Sequence, residues 1–155
     1  MFKIRLLRKN DIDDLARVFY EAFVQDYGHK WTVEEMAKTL TYFHSQQPDL
    51  FFIALLGNEI VGGIWGKIVP WRGGLHLKET DMAVSSKHRK KGISKKLLSK
   101  IIRKAIDKYN IVEFSGIAHG KRKFPMNYYK RIGLRITDWI FIYGDPNDIL
   151  KKLER

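Results

Sequence analysis

The chain has no cysteine among its 155 residues. That excludes a disulfide framework, a thiolate nucleophile and a cysteine-ligated zinc or iron–sulfur site. Long apolar runs are missing too: the longest, LFFIALL at 50–56, has seven residues, against the ~18 of a membrane span. The opening MFKIRLLRKN lacks the apolar stretch of a secretory signal, so a cytoplasmic location with no membrane partner is the expectation. His29, His88 and His119 are isolated and no HExxH pair occurs, so no metal is expected. No repeat, linker or low-complexity stretch interrupts residues 1–155, which reads as a single domain large enough for its own core.

Charge is uneven. Residues 1–77 hold nine Lys/Arg and nine Asp/Glu, whereas 78–155 carry the whole formal excess of +12. Between 87 and 104 there are nine basic residues and no acidic one. Such a block attracts an anion: a nucleic acid, an acidic membrane face or a phosphorylated small molecule. Its plain alternative is a solvated lysine-rich surface.

Apolar spacing predicts the elements. Residues 3–7 read as a strand. Asn10 is placed to cap a helix whose first turn holds Asp11, Asp13 and Asp14, with Ile12, Leu15, Ala16, Phe19 and Phe23 on one face. Thr32 and Glu35 form a capping-box pattern ahead of Val33, Met36, Ala37, Leu40 and Phe43. Residues 50–56 and 60–69 read as a hairpin around Gly57-Asn58-Glu59, and 70–74 punctuate before a third strand at 75–85. A helix follows from about Gly92, then a strand at 111–118, a helix at 124–132 stopped near Gly133, a strand at 134–143 and a closing helix from Asn147. The sum is a mixed α/β (α+β) domain.

The informative junction is 82–94, MAVSSKHRKKGIS. A strand ends, a basic loop follows, and a helix opens at Gly92. A helix N-terminus leaves N–H groups unpaired and carries partial positive charge, so it suits a phosphate. Gly92 allows close approach to the main chain, and Lys90, Lys91, Lys95 and Lys96 add charge. Neither GxxxxGK[ST] nor GxGxxG is present. The residues alone point to a phosphate or pyrophosphate site.

VSSKHRKKGISKKLL resembles the acyl-CoA signature of the GNAT superfamily of N-acetyltransferases, [QR]-x-x-G-x-[GA]. Here it reads Arg89-x-x-Gly92-x-Ser94, with Val84 five residues upstream; Ser94 replaces the usual Gly or Ala. FFIALLGNEIVGGIWG is similar to that family's second and third strands, and YYKRIGL to its late Y-x-x-x-G-F element. The likeness spans residues 2–143 in element order. It implies a central, mostly antiparallel, partly splayed sheet flanked by helices, with acetyl-CoA as acyl donor and a primary amine as acceptor. Backbone groups of Met82 and Val84 would pair with pantetheine, Met82, Ala83 and Val84 would line it, and Arg89, Lys90, Lys91, Gly92, Ile93 and Ser94 would hold the pyrophosphate, with Lys95 or Lys96 reaching the nucleotide phosphate. Where the family often has an Asn contacting CoA this chain has Arg122, and Asn127 is out of register.

Direct transfer in a ternary complex needs no enzyme nucleophile, which suits a chain without cysteine. The attacking amine must be neutral, so a carboxylate would assist. Glu79 and Asp81 stand two apart on a strand and are expected to share a face; Glu113 on the next strand is a third candidate. The resemblance makes Tyr129 the proton donor to the leaving thiolate. Tyr20, Tyr27, His29, Trp31, Trp71 and Trp139 are candidates for the acceptor wall, or else core. The chain could instead be a non-catalytic acyl-CoA sensor, or a nucleic-acid-binding domain using 87–104, though no RNP, helix-turn-helix or KH pattern accompanies that block. The stretch 139–143, WIFIY, could serve a homodimer or be a buried strand.

Overall fold

The computed structural model describes residues 1–25, 28, 30–118, 123–138 and 144–153. They form two compact units, Met1–Ile117 and Ala118–Arg155. The first contains five strands: β1 (Phe2–Leu6), β2 (Phe51–Leu56), β3 (Glu59–Trp71), β4 (Gly74–Val84) and β5 (Glu113–Phe114). It also holds three helices, α1 (Ile12–Tyr20), α2 (Val33–Gln46) and α3 (Ile93–Tyr109). The second unit contains α4 (Lys123–Arg131) and α5 (Pro146–Leu153). Among the described residues no helix is long and apolar enough to cross a membrane.

The sheet runs in sequence order, β1-β2-β3-β4-β5, with the first three pairings antiparallel and the last parallel. Its two faces are told apart by adjacent glycines. A Cβ on Gly63 would strike Leu15 and Phe19 of α1, whereas one on Gly62 would strike the Ala83 carbonyl and approach Leu97 of α3. Helices α1 and α2 therefore cover one face and α3 the other. The first face buries Leu15, Ala16, Phe19, Met36 and Leu40 against Phe51, Ile53, Trp65 and Ala83. On the second, Leu97 and Ile101 are fully buried.

The helical stripes read from spacing face the core, with Ile12, Leu15, Ala16, Phe19, Met36, Leu40, Ile93, Leu97, Leu98, Ile101 and Ala105 buried and Phe23, Val33, Ala37, Phe43 and Ile102 partly so. Thr32 caps α2 as expected: its Oγ1 accepts from Glu35 N (3.1 Å), and the Glu35 carboxylate accepts from Thr32 N (2.8 Å). The start of α1 differs. Residues Lys9–Asp11 form a 3-10 turn and α1 begins at Ile12. Asp11, not Asn10, organises the turn, accepting from Arg8 N (2.7 Å) and from the Arg5 guanidinium (2.6 and 2.9 Å). A bidentate charged pair outcompetes a neutral amide cap.

The predicted strand at 111–118 contracts to Glu113–Phe114. The strand expected at 134–143 is not one over 134–138, and 139–143, with the dimerisation idea attached to it, lies outside the described residues. Tyr27, His29, His119, Arg122 and Trp139 lie outside them as well.

The consequential irregularity is between β3 and β4. Trp65 pairs with Asp81 and Lys67 with Lys78, so Gly66 alone faces the two residues Glu79 and Thr80. That is a β-bulge in β4. Gly66 permits it, since a Cβ there would lie 2.7 Å from both Leu77 Cδ1 and Thr80 Cγ2 and 3.3 Å from Ile101 Cδ1. Leu77 is fully buried and Thr80 is β-branched, so neither yields easily. Gly66→Ala is expected to cost about 1–3 kcal/mol by overpacking; chemical denaturation of the variant measures it. A change within a few tenths of a kcal/mol would mean that the bulge relaxes freely.

Candidate active site

Past the bulge, β4 becomes the edge of the described sheet. Its parallel ladder with β5 consists of His76–Glu113 and Leu77–Phe114. Ser115 N reaches Leu77 O (3.0 Å) and Ser115 O accepts from Thr80 Oγ1 (3.2 Å). Beyond that, among the described residues, nothing pairs with the outer edge of β4 up to Val84 by strand ladder. Ser85 N donates to Val61 O on the β3 side (2.9 Å). By strand alternation, Val84 and Met82 then turn their N–H and C=O groups to the opposite, unladdered edge. The Arg89 Nε donates to Val84 O at 3.3 Å, consistent with that direction. Met82 and Val84 are half-buried, and Ala83 is buried on the α1/α2 face.

The edge leads directly into the basic loop. Ser86–His88 make a 3-10 turn, and Lys90 (φ 62°) and Gly92 (φ 77°) both adopt left-handed backbone conformations. Helix α3 then opens with Gly92 as its N-cap. The first intrahelical donor is Lys96 N, to Gly92 O (3.1 Å), so the amides of Ile93, Ser94 and Lys95 are left over. Arg89, Lys90, Lys91, Lys95 and Lys96 are exposed around them, and a Cβ on Gly92 would meet no atom within 4 Å. This is an open, positively charged cradle of main-chain donors, suited to a phosphate or diphosphate.

Carboxylates hold the loop without filling the cradle. Glu21, from the π-helical turn Glu21–Gln25 that continues α1, accepts from Ser86 N (3.3 Å), from Ser85 Oγ (3.4 Å) and from Ser86 Oγ. His88 Nε2 lies 3.7 Å from Glu59 Oε1 in the β2–β3 hairpin. Sequence reasoning missed Glu21. It stands on the polar side of an otherwise ordinary amphipathic helix, and only the tertiary fold brings it to residues 64 positions later.

Of the two carboxylates expected to share a face, one falls within the bulge. Asp81 pairs with Trp65 and lies on the α1/α2 side, whereas Glu79 sits in the bulge itself. Phe43 of α2 stacks on Trp65, ring centroids 3.6 Å apart. Asp81 is half-buried and has no hydrogen-bond or ion-pair partner among the described residues. Burial pushes its carboxyl up from an ordinary 3.8 to about 6. Glu113 belongs elsewhere. It is exposed, 3.3 Å from His76 Nδ1, and its rung is six residues from Met82, roughly 20 Å along β4.

Of the aromatic candidates, Trp31 packs against the α1/α2 core, Tyr20 is half-buried at the end of α1, and Trp71 is 64% exposed on the β3–β4 hairpin. Tyr129 lies on α4 in the second unit. Its ring is 5.7 Å from that of Tyr128, and its carbonyl accepts from Leu134 N (3.0 Å) past Gly133, whose φ of 97° ends the helix. Among the described residues no group of three or more His, Asp or Glu could hold a metal ion.

A bulged, one-sided strand running into a helix N-terminal cradle, beneath two helices, defines an architecture that comparison with known proteins identifies. The acetyltransferase (GNAT) family profile matches residues 16–134, and the chain belongs to that family, whose shared activity is acyl transfer. An acetyltransferase of Sodalis glossinidius (strain morsitans) is 23% identical over 142 residues, covering 92% of this chain and 93% of that protein. A candidate acetyltransferase from Clostridium difficile 630 superposes with a TM-score of 0.77 at 19% identity, covering 94% of this chain and 97% of its own. One from Clostridium acetobutylicum, crystallised with acetyl-CoA, gives 0.73 at 20% identity, covering 92% and 96%.

Asp81 has a consequence for stability. Its folded-state pKa is raised, so its favourable contribution is complete below pH ~4 and is lost as pH rises through about 6. Asp81→Asn removes the burden of a buried charge and is expected to be more stable than the wild type by about 2 kcal/mol at pH 8. The two should converge near pH 4, and thermal unfolding at both values measures this. A pH-independent gap would mean that Asp81 titrates as an ordinary surface carboxylate.

Proposed function

We propose that the protein transfers an acetyl group from acetyl-CoA to a primary amine by direct attack in a ternary complex. The observation that carries this is the continuity of the unladdered β4 edge with the anion cradle. An extended pantetheine arm offers amide groups that match the outward N–H and C=O of Met82 and the outward N–H of Val84, alongside Ala83. The diphosphate that follows fits the main-chain donors of 89–94, namely Arg89, Lys90, Lys91, Gly92, Ile93 and Ser94, with Lys95 supplying charge. The empty space beside Gly92 is where the anion would approach. The acetyl-CoA bound to the Clostridium acetobutylicum neighbour is in keeping with this donor.

In the reaction the amine lone pair attacks the thioester carbonyl carbon, the C–S bond breaks, and the thiolate leaves. Asp81 is the base we assign. A carboxyl near 6 is ionised at neutral pH and better matched to an amine proton than one near 4. Glu79, in the adjacent bulge, is the other carboxylate of this stretch. Tyr129 is the proton donor to the thiolate that the family resemblance implies.

Two measurements test this. Calorimetry at ~0.15 M salt is expected to show acetyl-CoA binding that falls more than about tenfold in Gly92→Glu, because a carboxylate enters the cradle. Binding of a DNA duplex without acetyl-CoA would overturn the reading and make the loop a nucleic-acid surface. Separately, Tyr129→Phe is expected to lower kcat by about tenfold or more while leaving acetyl-CoA affinity unchanged. An unaltered kcat removes Tyr129 from the mechanism.

A further inference from the structure

One rung of the β3–β4 ladder makes no sense as folding chemistry. Lys67 and Lys78 stand directly opposite each other, both half-buried. Like charges on one rung repel, and among the described residues neither lysine has an ion pair or hydrogen bond. The contact on record is a cation–π one, with Lys78 Nζ 4.1 Å from the centre of the exposed Trp71 ring.

The rung's position gives it meaning. It lies on the same face as Trp65 and Asp81, because one bulge unit, Gly66 against Glu79 and Thr80, separates the two rungs. The separation is two residues of β3, roughly 7 Å along the strand. It is also on the far side of Asp81 from the α3 cradle. Along β4 the order is Lys78, Asp81, the outward backbone of Met82 and Val84, and then the loop. The donor's phosphates have their own donors at the far end, so this second anion site is available to the other substrate.

We propose that the acceptor is a zwitterion, whose amine meets Asp81 while a carboxylate about 7 Å away is held between Lys67 and Lys78. An extended dipeptide with a free N-terminus and a free C-terminus has this span. The inference rests on the acetyl-transfer reading above and narrows its acceptor to an anionic amine. It makes Lys67 and Lys78 specificity residues, relieved of their mutual repulsion by the ligand.

The test is steady-state kinetics with acetyl-CoA on matched acceptors: glycylphenylalanine and its C-terminal amide, and 5-aminopentanoate and its amide. The acids are expected to exceed the amides at least about tenfold in kcat/KM, mostly through KM, as a charge-assisted contact would. In the Lys67→Gln/Lys78→Gln double variant the preference should collapse towards unity, with the half-saturating acetyl-CoA concentration unmoved. The double variant should melt no lower than the wild type, since a repulsive rung is removed. Equal use of acids and amides by the wild type, or a preference that survives in the double variant, overturns the proposal. Turnover of none of the four acceptors, with acetyl-CoA still bound, overturns the acceptor proposal, whereas absence of acetyl-CoA binding overturns the transfer reading beneath it.

Discussion

The active face depends on one missing side chain. Gly66 sits where the methyl groups of Leu77 and Thr80 converge, with no room for a Cβ. Without that space β4 could not carry two residues against one, and its alternation would not change phase. In an unbulged strand, Asp81 would fall on the α3 side, among Leu97 and Ile101. With the bulge, Leu77 and Thr80 stay towards α3 while Asp81 crosses to the Trp65 side. The same irregularity accompanies the end of the β4–β5 ladder at Leu77–Phe114, as bulges commonly terminate pairing. One glycine thus couples a phase change to an edge that no strand ladders among the described residues.

An open cradle of main-chain donors needs charges around it that hold the loop without filling the site. The loop's four basic residues, Lys87, Arg89, Lys90 and Lys91, would disperse it if nothing held it. Its anchors are Glu21 on Ser85 and Ser86, Glu59 near His88, and Arg89 on Val84 O. These acids bind serine and histidine rather than the exposed lysines, so the loop is fixed while its positive field stays intact. At the opposite end of α3, Asp49 does a different job. Burial opposes its ionisation, but hydrogen bonds from Lys108, Tyr109 and Gln47 hold it at about 2. That cluster ties the turn before β2 to the C-terminus of α3, which keeps the helix axis, and hence the cradle, in place.

What was legible in the sequence was what depends on local period or local capping. The stripes of α1, α2 and α3, the Thr32–Glu35 box and the Gly92 opening all follow from neighbours within one or two turns. The illegible parts depend on pairing between distant segments. Nothing in GGIWGKI or LKETDMA announces that Gly66 will face two residues, so the period-2 rule does not foresee the change of phase between Lys78 and Asp81. The strand at 111–118 reads as apolar and β-branched, yet only Glu113–Phe114 ladders, because a parallel partner must stay beside β4 and the bulged half of β4 departs. Asn10 does not cap α1 because the chain enters it through a 3-10 turn that Asp11 closes onto Arg8 N and Arg5 of β1.

The order of charges along β4 has its own logic. A donor carrying several phosphates and an acceptor carrying a carboxylate would repel each other if a single basic region had to hold both. The strand places a positive rung at one end, a carboxyl of raised pKa in the middle and the positive cradle at the other. In the proposed reaction two anions would then be separated by most of the strand, and the thioester and the amine would meet between them. The neutral total of residues 1–77 is consistent with this division: no general acidic funnel draws in a polycation, and the rung's lysines act locally rather than through a long-range field. Screening at physiological salt confines each site's influence to about 8 Å. That is shorter than the run from Lys78 to the loop and close to the step from that rung to Asp81, so discrimination at the acceptor end can be exerted without weakening donor binding.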